Sequence, residues 1–175
     1  MPDTTWPAAE PIATARLRLE PLRADHAPES FVVLNDQRLH TWTGGSPRSL
    51  DQLRAQYRLQ AAGCSPDGSR GWLNWMLRRT ADARIIGTVQ ATLWRPDPRR
   101  LEAELAWVVG TGQQGNGYGR EAALAMARWL RARGVCRLTA YIHPAHHASA
   151  AIARALGLAP TGTVHDGEIL WSDPP

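Results

Sequence analysis

Apolar and polar residues recur along this chain with two periods, and the places where the period changes divide it into elements. From Ala13 to Leu22 the pattern alternates: Leu17 and Leu19 face one way, and Arg16, Arg18 and Glu20 the other. That is the period of a half-buried first strand. A helix follows, with Asp25 as its cap and Glu29 nearby, running to Leu34. Residues 40–47 form a loop, after which Ser49 caps a second helix with Leu50, Leu53, Tyr57 and Ala61 at helical spacing. Residues 65–68 read as a turn. Trp72 to Arg79 and Ile85 to Trp94 are the second and third strands, joined as a hairpin through Ala81-Asp82. Beyond the turn at Pro96-Asp97-Pro98, Glu102 to Val109 is the fourth strand. Glu121 to Arg133 returns to the helical period, with Ala122, Met126, Trp129 and Leu130 on its apolar face and Gly134 as a stop. Leu138 to His143 is the fifth strand, and Ala148 to Leu156 a short helix closed by Gly157. Thr161 to His165 and Glu168 to Trp171 form a terminal hairpin about Asp166-Gly167, a type I′ turn signal.

A helix between the fourth and fifth strands makes that pair parallel, inside a sheet whose other connections are antiparallel. The pattern predicts an α/β fold of the α+β type: one domain over residues 12–175, with about seven strands and about four helices. Residues 1–11 are Pro-rich and polar, and are expected to be loosely ordered.

Composition narrows the function classes. At 175 residues the chain can bury a substantial core as one domain. The net charge is +4 and every Lys/Arg position is Arg, which mildly favours acidic ligands. The arginines are scattered and form no run, so a nucleic-acid partner is not expected. Cys64 and Cys136 offer neither a disulfide framework nor a metal spacing. They fit a reducing compartment, and with neither a leader pattern nor an apolar run of membrane length, a cytoplasmic location without membrane association is expected. The sequence leaves a homodimer open.

The stretch Gln114-Gly115-Asn116-Gly117-Tyr118-Gly119-Arg120 carries the first chemical signal. A strand precedes it and a helix follows. Glycines allow φ > 0 and close backbone approach, and N–H groups at a helix start attract anions. A phosphate cradle is therefore predicted. A Walker loop is excluded because the chain has no lysine. Gly110-Thr111-Gly112-Gln113-Gln114-Gly115 fits a dinucleotide fingerprint literally, but no Asp or Glu lies between Glu121 and Asp166 to hold a ribose.

The spacing Gln114-x-x-Gly117-x-Gly119 resembles the signature loop of the GNAT superfamily of N-acetyltransferases. The resemblance extends along most of the chain and is greatest to the ribosomal-protein N-terminal acetyltransferase branch. Residues 14–19, Glu104 to Val109, His143 to Ser149 and Leu156-Gly157-Leu158 match family segments in order. Two positions depart from it. The family's Asn falls on His146, and the position where many relatives carry a tyrosine general acid is Ala153.

The resemblance implies an acetyl-CoA-dependent N-acetyltransferase acting by direct amine attack in a ternary complex, without a metal. The acceptor is a protein N-terminus or a small-molecule amine. A CoA-binding module without chemistry is the alternative. The backbone of Gly115 to Arg120, with the Gln114 side chain, would hold the pyrophosphate. The fourth strand, bulged and splayed from the fifth, would hold the pantetheine arm through the backbone at Val108 and Val109. His146 would contact CoA in place of the Asn. Glu102 and Glu104 share a strand face; Glu104 matches the branch's acidic position and is the preferred base, with Glu102 toward the substrate. Ser149 would assist the leaving thiolate; as a serine near a helix start it also reads as a cap. Trp42, in the loop between the first two helices, would border the acceptor. His143, His146 and His147 do not have the arrangement of a metal site.

Overall fold

The computed structural model describes residues 5–42 and 44–174. Its strands are β1 (Ile12–Ala13), β2 (Leu17–Pro21), β3 (Gly71–Arg79), β4 (Ile85–Asp97), β5 (Arg100–Val109), β6 (Val135–Ile142), β7 (Ala159–His165) and β8 (Glu168–Ser172). The helices are α1 (Ala27–Leu34), α2 (Leu50–Gln60), α3 (Tyr118–Ala132) and α4 (His147–Ala155). The strands form one eight-stranded sheet in the order β1-β2-β3-β4-β5-β6-β8-β7. Among the described residues only β5 and β6 pair in parallel. The strand beyond the expected number is β1, whose two residues pair with Arg18 and Leu19 of β2.

Alternation within the strands sorts the two faces. Leu73, Trp75 and Leu77 of β3 and Leu101, Ala103 and Leu105 of β5 enter the main core with Ala122, Met126 and Leu130 of α3 and Ala150 and Ala153 of α4. On the opposite face Met76 and Ile85 meet Ala27 of α1 and Tyr57 of α2. Glu102, Glu104, Ala106 and Val108 of β5 belong to this second face. They pair across to Trp94, Thr92, Gln90 and Thr88 of β4.

Some boundaries differ from the sequence expectation, for local reasons. Asp25 does not cap α1; it lies in a 3-10 turn at Ala24–His26 and pairs with Arg23 at 3.0 Å. The entry is held by the buried His26, whose Nδ1 accepts the Arg23 N–H at 3.1 Å. Helix α3 starts at Tyr118, ahead of Glu121, because Gly117 serves as its N-cap with φ +80°. Asp166 and Gly167 both have positive φ, as a type I′ turn requires. Of the segment expected to be loose, residues 5–11 make specific contacts: Trp6 Nε1 donates to Gly68 O, Trp75 Nε1 to Glu10 O, and Glu10 pairs with Arg133.

Candidate active site

The parallel pair opens into a wedge. β5 and β6 are in register only from Leu101↔Val135 to Glu104↔Thr139, although both strands continue. Above that point β5 stays with β4 as far as Gly87↔Val109, and β6 pairs with β8 from Thr139 to Ile142. The splay expected from the resemblance is therefore present, but the bulge is not in β5. Its ladder with β4 is unbroken from Trp94↔Glu102 to Gly87↔Val109, and the irregularity lies at Cys136 of β6.

Hydrogen bonds show which backbone groups face the wedge. Leu101 O and Ala103 O accept from Cys136 Sγ (3.3 Å) and Thr139 Oγ1 (3.4 Å) on β6. Gly110 N donates to Ile86 O, toward β4. Successive residues of a strand point their N–H and C=O to opposite edges. Leu105, Trp107 and Val109 therefore present theirs to the wedge. Val108 does not: its backbone belongs to the β4 ladder, and its side chain faces a cleft on the second face of the sheet.

The wedge runs into the glycine loop. Gly115 and Gly117 have φ of +79° and +80°. The N–H groups of residues 115 to 120 have no hydrogen-bond partner among the described residues. This is the arrangement that binds phosphate oxygens. Arg120 is exposed, with no ion pair among the described residues. Gln114 and Asn116 brace the loop internally: Gln114 Nε2 donates to Val109 O at 3.0 Å, and Asn116 Nδ2 to Gln113 O at 3.0 Å. Tyr118 lies under the Arg16 guanidinium, 4.5 Å from the ring centre. Gly119 meets a packing demand, since a Cβ there would come 3.1 Å from Ile152 Cδ1 and 3.3 Å from Val109 Cγ2.

Arg16 was not singled out in the sequence, yet it organises the cradle. It donates to Asn116 O at 2.9 Å and to Glu121 at 2.7 Å. Nothing local signals this, because its partners lie about a hundred residues away. Trp107 was not singled out either, yet its indole N–H donates to Ser149 Oγ at 3.2 Å across the wedge.

The two glutamates separate. Glu102 is 4% exposed and paired with Arg100 at 2.6 Å, so it is a buried ion-pair partner and not a group facing substrate. Glu104 stands at the last paired rung, between Thr92 of β4 and Thr139 of β6. The residue is exposed, but loss of water around its carboxyl pushes the pKa up. Glu168 adds to this, and Arg70 and His165 oppose it.

Ser149 is the third residue of α4 and makes no cap; the N-cap is His146, without a side-chain bond. Its hydroxyl accepts from Trp107 and keeps its own proton to donate. Ala153, at the expected tyrosine position, is fully buried. Trp42 stacks on His146 and tilts against His143, each with centroids 5.1 Å apart. Desolvation, then His143 and His147, lower the His146 pKa. The loop after α1 thus rests on the start of α4. Among the described residues no cluster of His, Cys, Asp or Glu is placed to hold a metal ion.

On the second face of the sheet, α1, α2 and β3–β5 enclose a cavity of about 180 Å³, with Phe31, Tyr57, Asn74, Gln90 and Val108 in its walls. An adjoining cavity lies under residues 44–48, and His40 and Arg48 line both. Val108 thus joins the cleft to the strand whose other edge forms the wedge.

A family model described as an acetyltransferase (GNAT) domain matches residues 16–159. No curated protein sequence matches the chain. Among solved structures, an acetyltransferase from Agrobacterium tumefaciens is 24% identical, with 99% of each chain covered and a TM-score of 0.71. An acetyltransferase from Salmonella typhimurium that modifies the N-terminal serine of ribosomal protein L7/L12 is 16% identical, covering 93% of this chain and 98% of that one, with a TM-score of 0.70. AAC(6')-Ib in complex with paromomycin and acetyl-CoA is 16% identical, covering 90% and 92%, with a TM-score of 0.72.

Proposed function

The chain belongs to the GNAT acetyltransferase family, and from that premise we propose that it moves an acetyl group from acetyl-CoA directly to a primary amine in a ternary complex. The observation that carries this reading is the continuity of wedge and cradle. Strand β5 ends at Val109, whose carbonyl accepts from Gln114, and the loop then leads directly to the free N–H groups of residues 115 to 120. The cradle suits a pyrophosphate: it offers donors without acceptors, helped by the α3 dipole, Arg16 and Arg120. The edge of β5 suits an amide-bearing arm, because Leu105, Trp107 and Val109 present strand hydrogen-bonding groups to the wedge.

The chemistry follows from what surrounds the wedge. An ammonium must lose a proton before its nitrogen can attack the thioester carbon, and Glu104, with its raised pKa, accepts that proton directly or through water. The N–H of Trp107 faces the wedge and supports the oxygen that gains negative charge. As the carbon–sulfur bond breaks, the electron pair leaves with sulfur, and the Ser149 hydroxyl donates a hydrogen bond to it. Solvent completes the protonation. The acceptor enters from the cleft of α1, α2 and the second sheet face. The N-terminal serine and the paromomycin complex of the structural neighbours are both compatible with an amine acceptor.

The test is release of free CoA thiol in the presence and absence of an amine panel that includes peptides with free N-termini, with products weighed by mass spectrometry. Amine-dependent release with a product heavier by one acetyl group is expected. CoA binding without release for any amine would overturn the reading.

A further inference from the structure

The acceptor cleft is marked by its charges. None of the residues lining its two adjoining cavities is acidic, and the loop of residues 40–49 contains no Asp or Glu. The neighbouring carboxylates are already paired: Glu29 with Arg78, Asp36 with Arg38, Asp51 with Arg54 and Glu102 with Arg100. Glu104, needed for the amine's own proton, and Glu168 beside it are the acids left without an ion pair on this face among the described residues, and neither lines the two cavities. Arg48 is the opposite case. It is exposed, lines both cavities, and has no ion pair among the described residues.

The inner wall is neutral but not apolar. Asn74, Gln90 and Gln60 supply side-chain amides. Gln56, on the same wall, has its Oε1 buried without a hydrogen-bond partner. A buried carbonyl oxygen is costly to leave unpaired, and it is satisfied by an N–H donor from a bound molecule. A cleft whose unpaired carboxylates, Glu104 and Glu168, stand outside its two cavities, and whose lining offers several amides and one uncompensated guanidinium, suits an acceptor with an ammonium, amide groups and a negative charge. It is poorly suited to a polycation, whose additional ammonium groups would find no counter-charge in the cavity lining and would approach Arg48.

We propose that the acceptor is a primary amine bearing a carboxylate, and that Arg48 selects it by pairing with that carboxylate while Gln56 takes an N–H from the acceptor. Two sources share this chemistry, a free amino acid and a peptide with an acidic residue near its N-terminus. This rests on the acetyl-transfer reading of the same site. Arg is suited to the role because its guanidinium meets a carboxylate with two parallel hydrogen bonds and never loses its charge.

The test compares kcat/KM, by thiol release, across matched acceptors: peptides beginning Ser-Asp, Ser-Asn and Ser-Lys, an amino acid against its amide, and spermidine. The wild-type protein is expected to prefer the carboxylate-bearing member of each pair by about tenfold or more, with spermidine poorest. Arg48→Ala should shrink the ratio and Arg48→Glu should invert it, while the rise in Tm on adding CoA confirms the fold of both variants. Preference for Ser-Asp peptides over the free amino acid assigns a peptide source, and the reverse a small molecule. Equal or better turnover of spermidine overturns the inference, as does an Arg48→Glu variant that loses all acceptors in equal proportion. Either result leaves acetyl transfer itself intact. If CoA binds and no amine is acetylated, the transfer reading fails and this inference fails with it.

Discussion

Glu102 and Glu104 stand two residues apart on one face of β5, and their surroundings give them different work. Their shared face was legible from alternation alone; the ion pair with Arg100 that buries Glu102 was not read, although Arg100 lies one further step along the same face. The position of Glu104 at the last rung before the wedge was not legible, because register is set by packing between strands far apart in the chain. Its raised pKa has a kinetic consequence. The carboxylate is a base only when ionised, so kcat/KM should fall as pH drops through a value above the ordinary ~4.3 of a glutamate. Glu104→Gln should lower kcat by about 10²-fold or more and remove that acid limb from the pH profile. Glu102→Gln should leave the limb in place. A Glu104→Gln profile with the limb unchanged would assign the base elsewhere. Ser149 supports a smaller effect. Its place in α4 was read correctly, but both its donor Trp107 and its non-capping position came only from the packing of α4 against β5. Ser149→Ala should slow turnover about tenfold in a chemistry-limited assay, and by less with an acyl donor whose thiol leaves more readily. An equal loss with both donors would show that the change acts on packing and not on the departing sulfur.

The loop before α3 shows how one motif can contain two different glycines. The sequence supplied the loop, but it placed the helix start at Glu121. Gly117 can cap the helix without a side chain because φ there is +80°, which a propensity argument does not anticipate. A Cβ at Gly117 meets nothing closer than Arg16 Nη2 at 3.5 Å, whereas one at Gly119 presses on Ile152 and Val109. The two positions should therefore respond differently to the same substitution. Gly117→Val must either strain its backbone or leave the left-handed region, which turns the N–H groups of the cradle away. It should abolish the CoA-dependent rise in Tm. Gly119→Val overpacks the contact between α3, α4 and β5 and should cost about 1–3 kcal/mol of stability in denaturant unfolding. A folded Gly117→Val protein with unchanged CoA affinity would remove the cradle assignment.

At the scale of the molecule, both faces of the sheet are fastened by carboxylates, so acid should loosen the fold and the site together. The order of elements implied a mixed sheet with one parallel pair. It did not show that the second arm of the terminal hairpin, not the first, joins β6. The reason is burial: Trp171 and Ser172 of β8 are buried, while β7 is almost entirely exposed and stays at the edge. Glu121 fastens the main-core face, accepting from Thr14 Oγ1, Arg16 N–H and the Arg16 side chain, and so ties the N-terminal strands to α3. Glu29 fastens the other, holding α1 to Arg78 of β3 and the Ile85 N–H of β4. Burial works to raise both pKa values, but these hydrogen bonds outweigh it and hold both carboxyls below their ordinary value. A carboxyl depressed in the folded state stabilises the fold above its unfolded pKa of ~4.3, and that contribution is lost as pH falls through the folded value. His26 acts earlier. Desolvation, then Arg23, lower its pKa against the opposing Asp25 and Glu20. A histidine held neutral in the fold but free to charge when unfolded reduces stability as pH falls below ~6.5. Tm should therefore decline in two stages on acidification, a shallow one below about pH 6.5 and a steeper one below about pH 4.3. Glu121→Gln should lower Tm at pH 7 and flatten the second stage, because the proton that the wild type takes up is no longer there to be bound. The measurement is a Tm series by circular dichroism from pH 7 down to the acid limit, at fixed ionic strength. A Glu121→Gln protein with a wild-type slope in the second stage would show that the link between the N-terminal strands and α3 contributes nothing to the fold's sensitivity to acid.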